Sequence, residues 1–337
     1  MNDKKYGVSR MLPAAAILFA ALLLAVLMPL RLWQQINLVE PGTGFWSGSN
    51  ATIPLLYAGL GVLAIVPMAA ALFLRKRAAM DLSRRRRLFE GITAALAAAA
   101  LVWDAVMAFR FAISLFDGSG GGLDGESSSQ AVYYIRSGAL ACVLESLFGL
   151  LGAVFFGQLA ALDVLPNKKI YAGRALALAP FAWTVCRVLR RFSRTISYLR
   201  VSDLFLSLAL LVALMLFLLA FAQNLNSRHS GTKAASLAAA GIPAAVLALL
   251  CFVPRFVSYN ILGAEAPQDA LTEWCDPTMA LFILTYIGGR LFTGAPMEKI
   301  QLEEEPEEEA LAKEAPAEEV PALEEEIEEQ PEEQPEE

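Results

Sequence analysis

The chain has 337 residues, 56% of them hydrophobic, and a formal net charge of -7. A soluble domain is typically about 45–50% apolar, and the excess here is gathered into runs long enough to cross a bilayer, which excludes an ordinary water-soluble enzyme domain. Charge is segregated too: residues 301–337 hold 18 Glu and one Lys, so residues 1–300 carry 26 basic and 16 acidic side chains, a net +10.

The expected fold is all-α, a polytopic integral membrane bundle of about eight transmembrane helices over residues 1–299, followed by a disordered acidic tail over 300–337. The helices are predicted near 11–30, 52–74, 91–116, 131–161, 174–193, 203–223, 236–258 and 276–293. The first follows Lys4, Lys5 and Arg10. Its apolar run is longer than a signal-peptide core and lacks a small-residue cleavage site, so it reads as a retained helix.

Orientation follows from the basic residues of the loops. The 75–87 loop holds Arg75, Lys76, Arg77 and the run Arg84, Arg85, Arg86 and Arg87; the 163–173 loop holds Lys168 and Lys169, and the 224–235 loop Arg228 and Lys233. Loops 117–130 and 260–275 have no Lys or Arg. Both termini are therefore expected to be cytoplasmic, in a cell membrane. The run at 84–87 reads as an orientation signal or an anionic-lipid contact rather than a nucleic-acid site.

The third helix carries Asp104 next to Trp103. Arg110 lies six residues on, about 120° off the Asp104 face, so Asp104 needs a partner on another helix. The Gly- and Ser-rich segment 117–130 lacks the Gly-Lys-Ser/Thr of a phosphate loop and reads as a flexible connector. In the fourth helix, Glu145 shares a face with Gly138, Ala141, Gly149 and Gly152. Small residues let helices approach closely, so Glu145 is expected to point into the bundle, either as a structural partner of an arginine or as a proton or cation site. Gly149, Ala153, Gly157 and Ala161 form a candidate packing face.

The fifth helix is the most polar. Trp183, Arg187, Arg190, Arg191 and Arg194 fall on one face. Two readings stand: a basic helix lying at the interface, or a spanning helix whose arginines face a polar cavity or snorkel to the outer headgroups. Arg31, Arg110-Phe111, Arg191-Phe192 and Arg255-Phe256 all fall near predicted outer helix ends, with Arg136 at similar depth and Asp203 and Asp276 opening helices six and eight. This set is either a row of snorkelling anchors with Asp partners or the lining of an outward-facing anion site, since the planar guanidinium fork suits carboxylate and phosphate. Pro54, Pro67, Pro180, Pro243 and Pro254 fall in or near helices and can kink them.

Cys142, Cys186 and Cys251 lie in apolar segments without metal spacing, Cys275 lies near an outer edge as a candidate free thiol, and His229 is the one histidine. No metal site, cofactor or catalytic residue is expected: there is no H-E-x-x-H, G-x-S-x-G, Walker A or dinucleotide fingerprint. Two functions remain. One is a permease-like protein binding a small anionic or amphiphilic solute, or an anionic lipid, through Arg110, Arg187, Arg191 and Arg255, with Asp104 and Glu145 as intramembrane carboxylates. The other is a non-transporting scaffold or sensor whose Glu- and Pro-rich tail, with prolines such as Pro306 and Pro316, recruits a basic cytoplasmic partner.

Overall fold

A computed structural model describes residues 3–40, 46–74, 88–117, 138–164, 175–193, 201–225, 231–263 and 273–291. Among these, the chain forms eight α-helices and no β-strand: α1 (Asp3–Asn37), α2 (Thr52–Leu74), α3 (Leu88–Asp117), α4 (Ala139–Val164), α5 (Ala179–Ser193), α6 (Val201–Leu225), α7 (Gly231–Phe256) and α8 (Cys275–Leu291). Every predicted helical segment has its helix. The tail, the 75–87 loop, the 117–130 connector, His229, Arg136 and Arg194 lie outside the described residues.

The end of α1 differs from expectation for a physical reason. α1 runs past residue 30 because its polar last turns find partners. Arg31 lies over the Trp46 ring at 5.3 Å. Gln34 Nε2 donates to the Thr52 carbonyl at 2.8 Å, and Gln35 Nε2 to the Tyr259 hydroxyl at 3.3 Å. α4 is described from Ala139, directly after Gly138, whose φ is 78°; residues 131–137 of the predicted helix lie outside the described residues. That left-handed backbone cannot continue an α-helix, and a residue without Cβ adopts it at least cost.

α3 packs most extensively on α4, α4 on α5, and α6 and α8 on α7, while α1 and α2 lie against α7. α3 and α8 also pack together. Away from the arginines, Thr93 Oγ1 and Thr285 Oγ1 link these two helices at 2.8 Å. Between α4, α6 and α8 the interior is aromatic. Phe221 meets Phe155, Phe217, Phe282 and Tyr286 with ring centroids 4.9–6.0 Å apart, mostly edge-to-face, the geometry that ring quadrupoles favour. Pro67 lies inside α2, and Pro243 and Pro254 inside α7. Three residues beyond Pro254, α7 ends in a wide π-turn, Val257–Ile261, closed by the Leu262 N–H donating to the Val257 carbonyl at 3.0 Å. This turn places Tyr259 against Gln35 of α1.

Six helices are long and apolar enough to cross a membrane: α1, α2, α3, α4, α6 and α7. α5 and α8, at 15 and 17 residues, are shorter. Their surfaces obey the rule for lipid rather than water. Only 17% of the apolar stretch of α2 is buried, leaving Leu55, Val62, Ile65 and Met68 exposed. The chain is a multi-pass helical membrane protein.

A candidate site of arginines and carboxylates

The most amphipathic helix, α5, turns its polar face inward. Trp183, Thr184, Arg187 and Arg190 are buried, while Leu189 and Phe192 are exposed. This settles which way the arginine stripe points: into the bundle, toward α3, α4 and α8. Gly149 of α4 makes room for it, because a Cβ there would stand 3.3 Å from both Trp183 Cδ1 and Ala105 Cβ.

Trp183 Nε1 donates to Asp104 Oδ2 of α3 at 2.9 Å, which supplies the partner on another helix that Asp104 needs. One turn on, the Arg187 guanidinium lies over the Trp183 ring at 4.9 Å. It donates from Nη1 to Asp276 Oδ1 at 3.0 Å and pairs through Nη2 with Glu273 Oε2 at 2.7 Å. Arg190 Nε stands 2.8 Å from Glu145 Oε2. The N–H is not aligned on that oxygen, so this is an ion pair rather than a well-formed hydrogen bond. Arg190 Nη2 is also 3.8 Å from Glu273 Oε1. Arg191 Nη2 donates to both Glu273 oxygens, at 3.0 and 3.2 Å.

Glu273 is thus the hub. It lies outside any helix, just before α8, and takes three arginines at once. Burial works to raise its pKa, but Arg187, Arg191 and Arg190 outweigh burial and hold the carboxyl well below the usual range. The charge of Arg255 on α7 adds to this, while its Nη2 donates to Ser207 Oγ of α6 at 2.9 Å. Across a low-dielectric interior such attractions are strong, but desolvating the ions offsets much of the gain.

Of the six residues singled out from sequence, five belong to this region: Arg187, Arg191, Arg255, Asp104 and Glu145. Arg110 is not brought in; it is exposed on α3. Its Arg-Phe pairing misleads; its angular offset from Asp104 agrees only with the absence of a pair between the two. The side chain of Asp203 lies outside the described residues. Asp276 acts as an arginine partner. Glu273 and Arg190 are the additions. Arg190 shares the visible stripe, whereas a Glu in a polar connection carries no signal that separates it from a solvated one. Cys275 is a free thiol, as expected, and is wholly buried. Gly157 does not serve the packing face expected of it, since a Cβ there would meet nothing within 4 Å. The described residues contain no His/Cys/Asp/Glu group able to hold a metal ion.

Comparison with family models, curated proteins and solved structures gives no match. Function therefore has to be read from the geometry of the charged cluster.

Proposed function

We propose that the chain is a non-transporting membrane scaffold or sensor that crosses the bilayer eight times, with both termini cytoplasmic and the arginine cluster at the outer end. The two short helices α5 and α8 complete the bundle because each satisfies the other's charges. The observation that carries this reading is the closure of the cluster on itself. Arg187, Arg190 and Arg191 meet Glu145, Glu273 and Asp276 inside the packed helices. A permeation site needs charges left open to a solute; here each of the three guanidinium groups is paired with at least one carboxylate. Signalling inward then falls to the acidic tail, whose charge suits a basic partner.

The test is flux in proteoliposomes loaded with small carboxylates or phosphate, under proton and sodium gradients. Movement at the empty-vesicle rate is the expected result, and gradient-driven uptake overturns the reading. Deleting residues 301–337 should abolish co-purification of the basic partner; an unchanged partner set removes the tail from the proposal.

One observation favours the permease-like alternative. Glu145 lies within α4, completely buried, and neither of its oxygens receives an aligned hydrogen bond. An intramembrane carboxylate of that kind suits a coupling site. In that case Glu145→Gln would abolish the gradient-driven uptake while leaving solute binding intact.

A further inference from the structure

The three arginines around Glu273 form a carboxylate receptor whose occupant belongs to the same chain. Arg191 shares its Nη2 between both oxygens of one carboxyl, and Arg187 adds an ion-pair contact at 2.7 Å. The occupant differs from its neighbours in the cluster. Asp104, Glu145 and Asp276 are set on helices, whereas Glu273 precedes α8 and is not held by a helical backbone. The cluster is also graded in exposure. Arg187 and Glu145 are at 0%, while Glu273 and Arg191 are at 11% and 21%, so the solvent-facing edge of the network lies at the Glu273–Arg191 contact.

Four buried donors of the cluster lack an aligned acceptor. They are Nε and Nη2 of Arg187 and the Nε groups of Arg190 and Arg191. A buried donor without an acceptor carries a desolvation cost. One tethered carboxyl has only two oxygens to offer, both already engaged. A free anion, not constrained by a backbone, can approach at an angle that reaches these donors as well.

We propose that this is a binding site for a small carboxylate-bearing anion, with Glu273 as a built-in competitor that the anion displaces. The proposal rests on the sensor form of the function given above and supplies the class of ligand it would detect. Exchange of one carboxylate for another conserves the charge balance of the core, so the bundle need not be disrupted for the site to be read. Trp274, joined to Glu273, packs on Phe252 and Phe256 of α7 at ring separations of 5.3 and 5.8 Å. Release of Glu273 is therefore felt at the end of α7.

The experiment uses the full chain in phosphatidylcholine nanodiscs, titrated with sodium acetate and sodium succinate against sodium chloride at matched ionic strength. Tryptophan fluorescence is the readout, since Trp274 adjoins the occupant and Trp183 underlies Arg187. The wild type should give a saturable response to the carboxylates and none to chloride. In Glu273→Ala the competitor is gone. If the displaced form of the wild type is populated at about 0.1–10%, the variant binds roughly 10- to 1,000-fold tighter. Equal affinity in the two proteins, or equal responses to acetate and chloride, overturns the proposal. If Glu273→Ala does not fold alone, recovery of monodisperse protein by acetate but not chloride supports it, and Glu273→Gln, which keeps the volume but not the charge, repeats the titration. A purely structural Glu273 predicts instability without rescue by acetate. Because nanodiscs report binding and not flux, failure here leaves the non-transport reading standing, and flux in proteoliposomes would sink that reading without touching this one.

Discussion

The aromatic interior around Phe221 and the charged cluster around Arg187 are both buried, yet they join helices by opposite means. The rings touch many neighbours weakly, and each contact resembles the others. In lipid there is little hydrophobic drive between helices, because acyl chains are as apolar as the rings, so this region rests on close packing. The charged end makes few contacts, each between a specific donor and a specific acceptor. Loss of one ring leaves a gap that neighbours or lipid can share. Loss of one charge strands its partner in a medium that cannot solvate it.

The largest effect is therefore expected from Arg187→Leu, which orphans Asp276 and takes from Glu273 one of its three arginines. Breaking a buried pair typically costs about 3–5 kcal/mol, enough to erase most of a marginal stability. A detergent thermal melt should show loss of the folded fraction, and retention of the wild-type midpoint would erase the contrast between the two regions. Phe221→Ala comes next. A buried Phe→Ala change costs about 3–5 kcal/mol in soluble cores, and the share due to hydrophobic transfer is absent here, leaving roughly 2–3 kcal/mol. A melt in which Phe221→Ala exceeds Arg187→Leu reverses the ranking.

Acid sharpens the comparison without mutation. The folded pKa of Glu273 is depressed below the ordinary 4.5. Its contribution to stability is therefore fully present above about pH 4.5 and is lost as pH falls through the lower folded value. Stability from this source is flat between pH 7 and 5 and drops only in stronger acid. Glu273→Gln should remove that acid limb, whereas Phe221→Ala should leave it in place. The smallest effect belongs to the surface facing lipid. Ile65→Ala, on the exposed side of α2, should shift the melt by no more than about 0.5 kcal/mol; a larger shift would mean that protein, not lipid, covers that face.

These differences also mark what could be read from sequence. Helices that meet lipid advertise themselves, because hydropathy is a local property, and each predicted segment contains a described helix. The stripe on α5 is legible for the same reason, since spacing along one helix fixes which residues share a face. The direction of the stripe is not local. It depends on Gly149 opening α4 to Trp183 and on carboxylates more than eighty residues away. Glu273 had no local signature at all, and Arg110 carried a misleading one, because an arginine followed by Phe at a helix end looks the same whether it faces lipid or a partner.

The separation between Arg187 and Asp276, 89 residues along the chain, has a consequence for how the protein is made. Arg190 emerges from the ribosome when its partner Glu145 already exists. Arg187 and Arg191 emerge long before Glu273 and Asp276. At about 5–20 residues per second, synthesis of the intervening stretch lasts roughly 4–18 s. During that interval α5 holds two arginines without their acids, beside an α4 that can neutralise one. Its final seat in the bundle has to wait for α8, which brings the acids that complete it.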